Sequence, residues 1–226
     1  CGGGFALVGG DEGQVLSSRD GGKSWIERLT LGPGHTTTAI ACSQTGQALL
    51  AVATRAGTYI LSSRDRGRTW KRSLLLQEPR SLSGIAYGDP SDLWAVGPSS
   101  GAGGAFVVPG GIIASADGGT TWIVQRETAG RDYLDVAFSD ARHGWVVGQS
   151  GDDKGVILRT SDGGCSWSEQ SFSGVAMFGA VACADARHAW AVGKASDGIR
   201  GVALATNDGG LTWHACDLGS YQTTRF

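Results

Sequence analysis

"TSDGGCSW", residues 160–167, packs an acid, two glycines, hydroxyls, a cysteine and a tryptophan into eight positions. Taken alone it has the composition of a reactive loop, with Asp162 for a base or metal ligand, Cys165 for a nucleophile, and Gly163 and Gly164 for close approach to a ligand. The same pattern recurs at "SSRDGGKSW" (17–25), "SSRDRGRTW" (62–70), "SADGGTTW" (115–122) and "TNDGGLTW" (206–213). Each copy reads Ser/Thr, any residue, Asp, any residue, Gly, any residue, Ser/Thr, Trp. The aspartates Asp20, Asp65, Asp117, Asp162 and Asp208 are separated by 45, 52, 45 and 46 residues. A period of that size marks a repeat in which each unit is one supersecondary element.

A second element stands upstream of each box. "LWAVG" (93–97), "GWVVG" (144–148) and "AWAVG" (189–193) match one another, with "FALVG" (5–9) and "LLAVA" (49–53) as looser copies. Short β-branched and aromatic runs ending at glycine read as buried strands. Ahead of them lie "TAIACS" (38–43), "SGIAYG" (83–88), "YLDVAFS" (133–139) and "GAVACA" (179–184). Unit four then parses as four short antiparallel strands, "YLDVAFS", "GWVVGQ", "GVILRTS" and "SWSEQSF", joined by "DARH", "SGDDK" and "DGG". Five such units predict an all-β chain folded as one β-propeller over 1–226, with five four-stranded antiparallel blades. Unit one lacks its first strand, and the tail "YQTTRF" (221–226) resembles "YLDVAF" in spacing. The tail is therefore expected to complete blade one and close the ring, hiding its sheet edges, with a truncated larger ring as the main rival. All eight tryptophans are then placed: Trp25, Trp70, Trp122, Trp167 and Trp213 close the boxes, and Trp94, Trp145 and Trp190 sit on second strands. Repeated aromatic area of this kind serves packing between blades.

Composition agrees. Thirty-eight glycines are about twice ordinary usage, as a turn-rich chain requires. A net charge of −2 gives no global field for nucleic acid or an anionic membrane, and no apolar run is long enough to span a bilayer. The five cysteines (1, 42, 165, 183, 216) contain no CxxC pair, and the histidines do not cluster with them, so no metal or cofactor is expected. Cys42 and Cys183, among small apolar residues, read as buried free thiols, although one bridge remains open. Cys1 would suit lipid modification, with truncation the plainer account.

The boxes resemble the Asp-box, or BNR, repeat of sialidases, sortilin-type receptors and several glycoside hydrolases. That resemblance implies a propeller hairpin in which the aspartate and hydroxyl bond the turn between third and fourth strands and the tryptophan packs beneath. The longer signature "DARHGWVVGQSGDDKGVILRTSDGGCSW" (140–167) is similar to the repeat of the photosystem II stability and assembly factors of cyanobacteria and chloroplasts. It implies a non-catalytic scaffold in the thylakoid lumen or bacterial periplasm, peripheral to the membrane, whose partner is a membrane-complex subunit such as a reaction-centre protein. Two alternatives stand beside it: a permanent structural subunit of a photosynthetic membrane complex, and a secreted Asp-box glycosidase or lectin.

The residues themselves argue against chemistry. A sialidase needs an arginine cluster around a carboxylate and a tyrosine paired with a glutamate, yet none of the four tyrosines falls in a turn beside arginines. A retaining glycosidase needs two opposed carboxylates about 5 Å apart, and most acids here already belong to boxes and turns. The place of Cys165 is taken in the other boxes by Lys23, Arg68, Thr120 and Leu211, which marks a variable turn position. Calcium binding at "SGDDK" (150–154) is the less common reading of a solvated hairpin turn. Two features depart from the repeat. Box two carries Arg64, Arg66, Arg68, Lys71 and Arg72 with Asp65 as the only acid, and Arg66 replaces a glycine found in the other four boxes. These five cations are the candidate contact for a carboxylate-bearing partner segment. Unit three holds the insertion "GPSSGAGGAFVVPGGI" (97–112), a candidate docking loop.

Overall fold

A computed structural model of the chain describes residues 5–43, 45–77, 81–98 and 110–218. Its regular structure is antiparallel β throughout, in one three-stranded and four four-stranded sheets whose strands follow chain order. Blade one is β1 (Ala6–Gly9), β2 (Val15–Ser18) and β3 (Ile26–Leu29). Blade two is β4 (Thr36–Cys42), β5 (Ala48–Thr54), β6 (Gly57–Ser63) and β7 (Lys71–Gln77). Blade three is β8 (Gly84–Tyr87), β9 (Leu93–Gly97), β10 (Gly110–Ser115) and β11 (Ile123–Thr128). Blade four is β12 (Arg131–Phe138), β13 (Gly144–Ser150), β14 (Gly155–Thr160) and β15 (Ser168–Phe172). Blade five is β16 (Val175–Cys183), β17 (Ala189–Ala195), β18 (Gly201–Thr206) and β19 (His214–Ala215). The described residues thus form five blades of an Asp-box propeller.

The core lies between blades. Leu49 and Ala51 of blade two meet Ile85, Leu93 and Ala95 of blade three. Trp94 and Val96 meet Tyr133, Val136 and Phe138 of blade four, and Trp145 and Val147 meet Phe178 and Val181 of blade five. A second strand held between two neighbours buries both faces, which is why β9 is an uninterrupted apolar run and every residue of it is buried. The glycine ending the "VG" pair has a separate cause. A Cβ on Gly148 or Gly193 would strike the backbone carbonyl of Asp132 or Met177 in the adjoining first strand, and one on Gly97 that of Ser81, just ahead of β8. The pair therefore records a close backbone approach.

The ends differ from the middle. In β17, Trp190 and Val192 are exposed, as are Val8 and Trp25 of blade one. These positions correspond to residues buried between blades elsewhere in the repeat, and among the described residues blades five and one make no extensive contact. Blade one is three-stranded; the tail 221–226 expected to complete it lies outside the described residues, as does most of the insertion, 99–109. One expectation is corrected: Cys42 is disulfide-bonded. Cys183 is a free thiol, half-buried, and pushed up to about 11 by burial and then by the charges of Asp140 and Asp185. Small apolar neighbours mark a cysteine as inward-facing, and they are equally compatible with a bridge.

Candidate partner-binding surface

Each box is a turn locked by its own acid. In box four, Thr160 Oγ1 donates to Asp162 Oδ1 (2.7 Å), Ser166 N donates to Asp162 Oδ1 (2.9 Å), and Ser166 Oγ donates to Asp162 Oδ2 (2.6 Å). Gly164 N closes the turn on Thr160 Oγ1 (2.9 Å). Asp20, Asp65, Asp117 and Asp208 repeat the hydroxyl and amide contacts with Ser24, Thr69, Thr121 and Thr212. Donors aimed at the charged form hold these carboxyls low: Asp65, Asp117 and Asp162 at about 2, Asp20 and Asp208 lower still. Such an acid is committed to its turn and is a poor base. Trp25, Trp70 and Trp122 each donate Nε1 to the carbonyl of the box glycine three residues earlier, at 3.1 to 3.2 Å. Trp167 and Trp213 make no such bond, and like Trp122 and Trp70 they pack against the cores between blades.

Other candidate chemistry dissolves into the same kind of turn. Asp140 Oδ1 accepts the amides of Arg142 and His143, and Asp185 Oδ1 those of Arg187 and His188. Asp89 does this in blade three for Ser91 and Asp92. The Asp89–Asp92 carboxylate pair is therefore a turn cap in which Asp92 stands where blades four and five have histidine. Burial and then the charge of Asp89 raise Asp92. Asp152 of the "SGDDK" turn is held by Ser150 Oγ and Lys154 Nζ, and no cluster of three metal-ligating side chains occurs among the described residues. Cys165 is an exposed free thiol.

Box two differs. Arg66 has φ 61°, where the matching positions Gly21, Gly118, Gly163 and Gly209 have φ of 70 to 77°. The left-handed conformation costs a residue with a Cβ about 1–2 kcal/mol, and strain of this kind concentrates at functional positions. The conformation directs Arg66 along Gly46, whose carbonyl accepts the Arg66 amide (3.1 Å). Arg64, Arg66 and Arg68 join Arg19 of box one around a hollow of about 310 Å³ that also includes Thr45 and Asp65. The Arg19 guanidinium is lowered from its usual value first by the charge of Arg68, then by desolvation, then by Arg28 and Arg66. Asp65 stays ionised in its turn with Ser63 and Thr69 and forms no ion pair with these arginines among the described residues, so one negative charge faces four positive ones. Lys71 and Arg72 line the next cleft instead, and the Arg72 guanidinium lies 4.2 Å over the Tyr59 ring. The structure places Lys71 and Arg72 beside the hollow and adds to it Arg19, which the boxes read singly did not mark, with the Arg28 charge acting on Arg19 from nearby. The signal was present: "SSRD" occurs in both boxes, and only the packing of blade one on blade two brings the copies together.

Residues 125–222 match the family model described as "Photosynthesis system II assembly factor YCF48". The chain resembles the photosystem II assembly factors. The match covers just under half of it. Among solved structures, YCF48 from Cyanidioschyzon merolae superposes with a TM-score of 0.61 at 17% identity, over 86% of this chain and 62% of that one. This chain therefore spans less than two thirds of the length of that relative. The same fold appears in an ancestral GH74 enzyme (TM-score 0.65, 19% identity, 95% of this chain and 30% of that one). It appears again in the nidogen/laminin complex (TM-score 0.66, 13% identity, 93% and 76%). Likeness at these identities establishes the propeller, which enzymes and binding proteins share. No curated protein matches the chain.

Proposed function

We propose that the protein is a non-catalytic scaffold of the photosystem II assembly type, which holds a carboxylate-bearing segment of a reaction-centre subunit against the arginine cluster. The observation that carries this reading is the meeting of Arg19, Arg64, Arg66 and Arg68 from two boxes around one hollow, where Asp65 is the one acid among the described lining residues. Planar guanidinium groups in that setting suit bidentate carboxylate recognition, and mutual repulsion between them is relieved by an anion. The place of work in this reading is the thylakoid lumen or the periplasm. The Cys42 disulfide supports it, because such bonds persist in oxidising compartments. The family match over residues 125–222 supports the class of partner.

The test is capture of photosystem II reaction-centre subunits from detergent-solubilised membranes by the immobilised protein, with Arg66→Glu/Arg68→Glu as the comparison. Capture by the wild type at low ionic strength, lost in the double variant, supports the proposal. Equal capture by both proteins, or by neither, rejects it.

A further inference from the structure

Internal repetition gives each cleft between blades a reference. Between blades three and four, Trp94 Nε1 donates to Gln125 Oε1 (3.1 Å), and Gln125 Nε2 crosses to the carbonyl of Gly163 in the next box (2.9 Å). Between blades four and five, Gln170 Nε2 crosses to Gly210 O (3.3 Å) and Leu211 O (3.0 Å), with Trp145 and Arg159 packed alongside Gly210. Both glutamines stand three residues after a box tryptophan. In blade two the same position is Ser73, and the place of Trp94 and Trp145 opposite the third strand belongs to Leu49, which pairs with Ser62. Ser73 is too short to cross, and its hydroxyl turns back to Ile60 O in its own sheet (3.5 Å).

The consequence is a cleft of about 620 Å³ between blades two and three, against about 240 Å³ between blades three and four. Its walls carry the Gly118 backbone and the cations Arg64, Lys71 and Arg72, while the Ser62 and Thr120 hydroxyls donate to Lys71 O (3.3 Å) and Asp117 O (3.1 Å); no carboxylate lines it among the described residues. Arg64 reaches across to blade three, its Nη2 3.3 Å from where a Cβ on Gly118 would stand, so it borders this cleft and the arginine hollow alike.

We infer that this cleft receives one carboxylate group of a bound peptide, which occupies the space that Gln125 and Gln170 fill in their clefts and sets its charge against Arg64, Lys71 and Arg72. The inference rests on the scaffold reading above and gives it a second, separable contact. A carboxylate sets its charge against all three cations, whereas a carboxamide leaves them without a counter-charge. The group has two sources, an Asp or Glu side chain or a chain-terminal carboxylate.

The test uses labelled decapeptides titrated into the whole protein at low salt: one with internal glutamates and an amidated end, one with glutamines and a free carboxylate end, and one neutral throughout. Binding is read by anisotropy and by the amide shifts of Gly118, Gly119 and Thr120. The expected result is that at least one charged peptide binds and moves those amides, the stronger of the two naming the source, while the neutral peptide binds about tenfold more weakly. Ser73→Gln, which refills the cleft as in blades three and four, weakens the charged peptide about tenfold with no loss of thermal stability. Ser73→Ala, which keeps the cleft open and removes only a hydroxyl turned back to Ile60 O, binds as the wild type. If Ser73→Gln binds normally while Arg66→Glu/Arg68→Glu does not, the cleft inference is wrong and the arginine reading survives. If the neutral peptide binds equally well, or no peptide binds below millimolar concentration, the inference is likewise overturned.

Discussion

The amide of Arg66 donates to the carbonyl of Gly46 across 3.1 Å while Arg66 itself holds φ at 61°. A box turn built for glycine thus carries an arginine and is pinned to the loop between the first two strands of blade two. Arg66→Gly removes left-handed strain of about 1–2 kcal/mol and adds back roughly 0.5–1 kcal/mol of unfolded-state freedom. The variant is expected to gain about 0.5–1 kcal/mol, a rise in Tm of about 2–3 °C, while its capture of partner falls. A drop in both stability and capture would mean that Arg66 serves the fold.

Arg19 should matter to binding as much as Arg68, although it lies in a different box. Its low guanidinium value, caused first by Arg68, places the two within one field. Arg19→Glu is expected to slow association about as much as Arg68→Glu at 20 mM salt, with the difference from wild type shrinking strongly by 0.5 M as charges are screened. Stopped-flow association rates measure this, and a salt-independent effect would point to lost packing instead.

Acid should unfold the propeller through its boxes. The box aspartates have folded values depressed to about 2 or below, against about 3.9 in an unfolded chain. Stability from them is fully present above pH 4 and is lost as pH falls toward 2. Asp135, raised chiefly by burial, and Asp92 act with the opposite sign, favouring the fold as they protonate, but they stand against the five box acids and against Asp89, Asp140, Asp152, Asp185 and Asp197, which are also lowered. Melting curves should be level from pH 7 to about 4.5 and fall steeply below 4; a Tm that rises on acidification would contradict the assignment.

Trp94 lies flat on Phe138, with ring centroids 3.5 Å apart and planes inclined by 9°. Both are buried, and they join blades three and four. Phe138→Ala should cost about 3–5 kcal/mol, the usual range for an aromatic truncated in a packed core, whereas Trp190→Ala on the exposed face of blade five should cost under about 1 kcal/mol. Urea denaturation distinguishes them, and a comparable loss from Trp190→Ala would show that its face is covered in solution.

The cysteines should sort by exposure. Cys165 is exposed and Cys183 half-buried with its thiol raised to about 11, so a maleimide at pH 7 should label Cys165 first and Cys183 only on unfolding. Mass spectrometry of the labelled peptides reports the order directly, and equal rates would mean that blade five opens locally.

The sequence by itself determined the fold, because a propeller blade is a local meander and its turn carries its own lock. Asp162, Thr160 and Ser166 lie within seven residues and bond one another, so spacing alone identifies the turn, and five copies count the blades. The "VG" pairs were legible as strands, while the backbone approach that demands each glycine emerged only when first strands were seen against second strands. The site was half legible. Arg66 stood out as an arginine in a glycine position, but Arg19 and Arg64 are 45 residues apart in sequence and share a field only because blade one packs on blade two. The cleft beside them was invisible in any single unit: Ser73 is an ordinary residue until Gln125 and Gln170 are seen crossing the equivalent gaps. Hydrogen bonds that close within a turn are written in sequence spacing, whereas contacts between blades depend on register and radial packing, which only the tertiary structure decides.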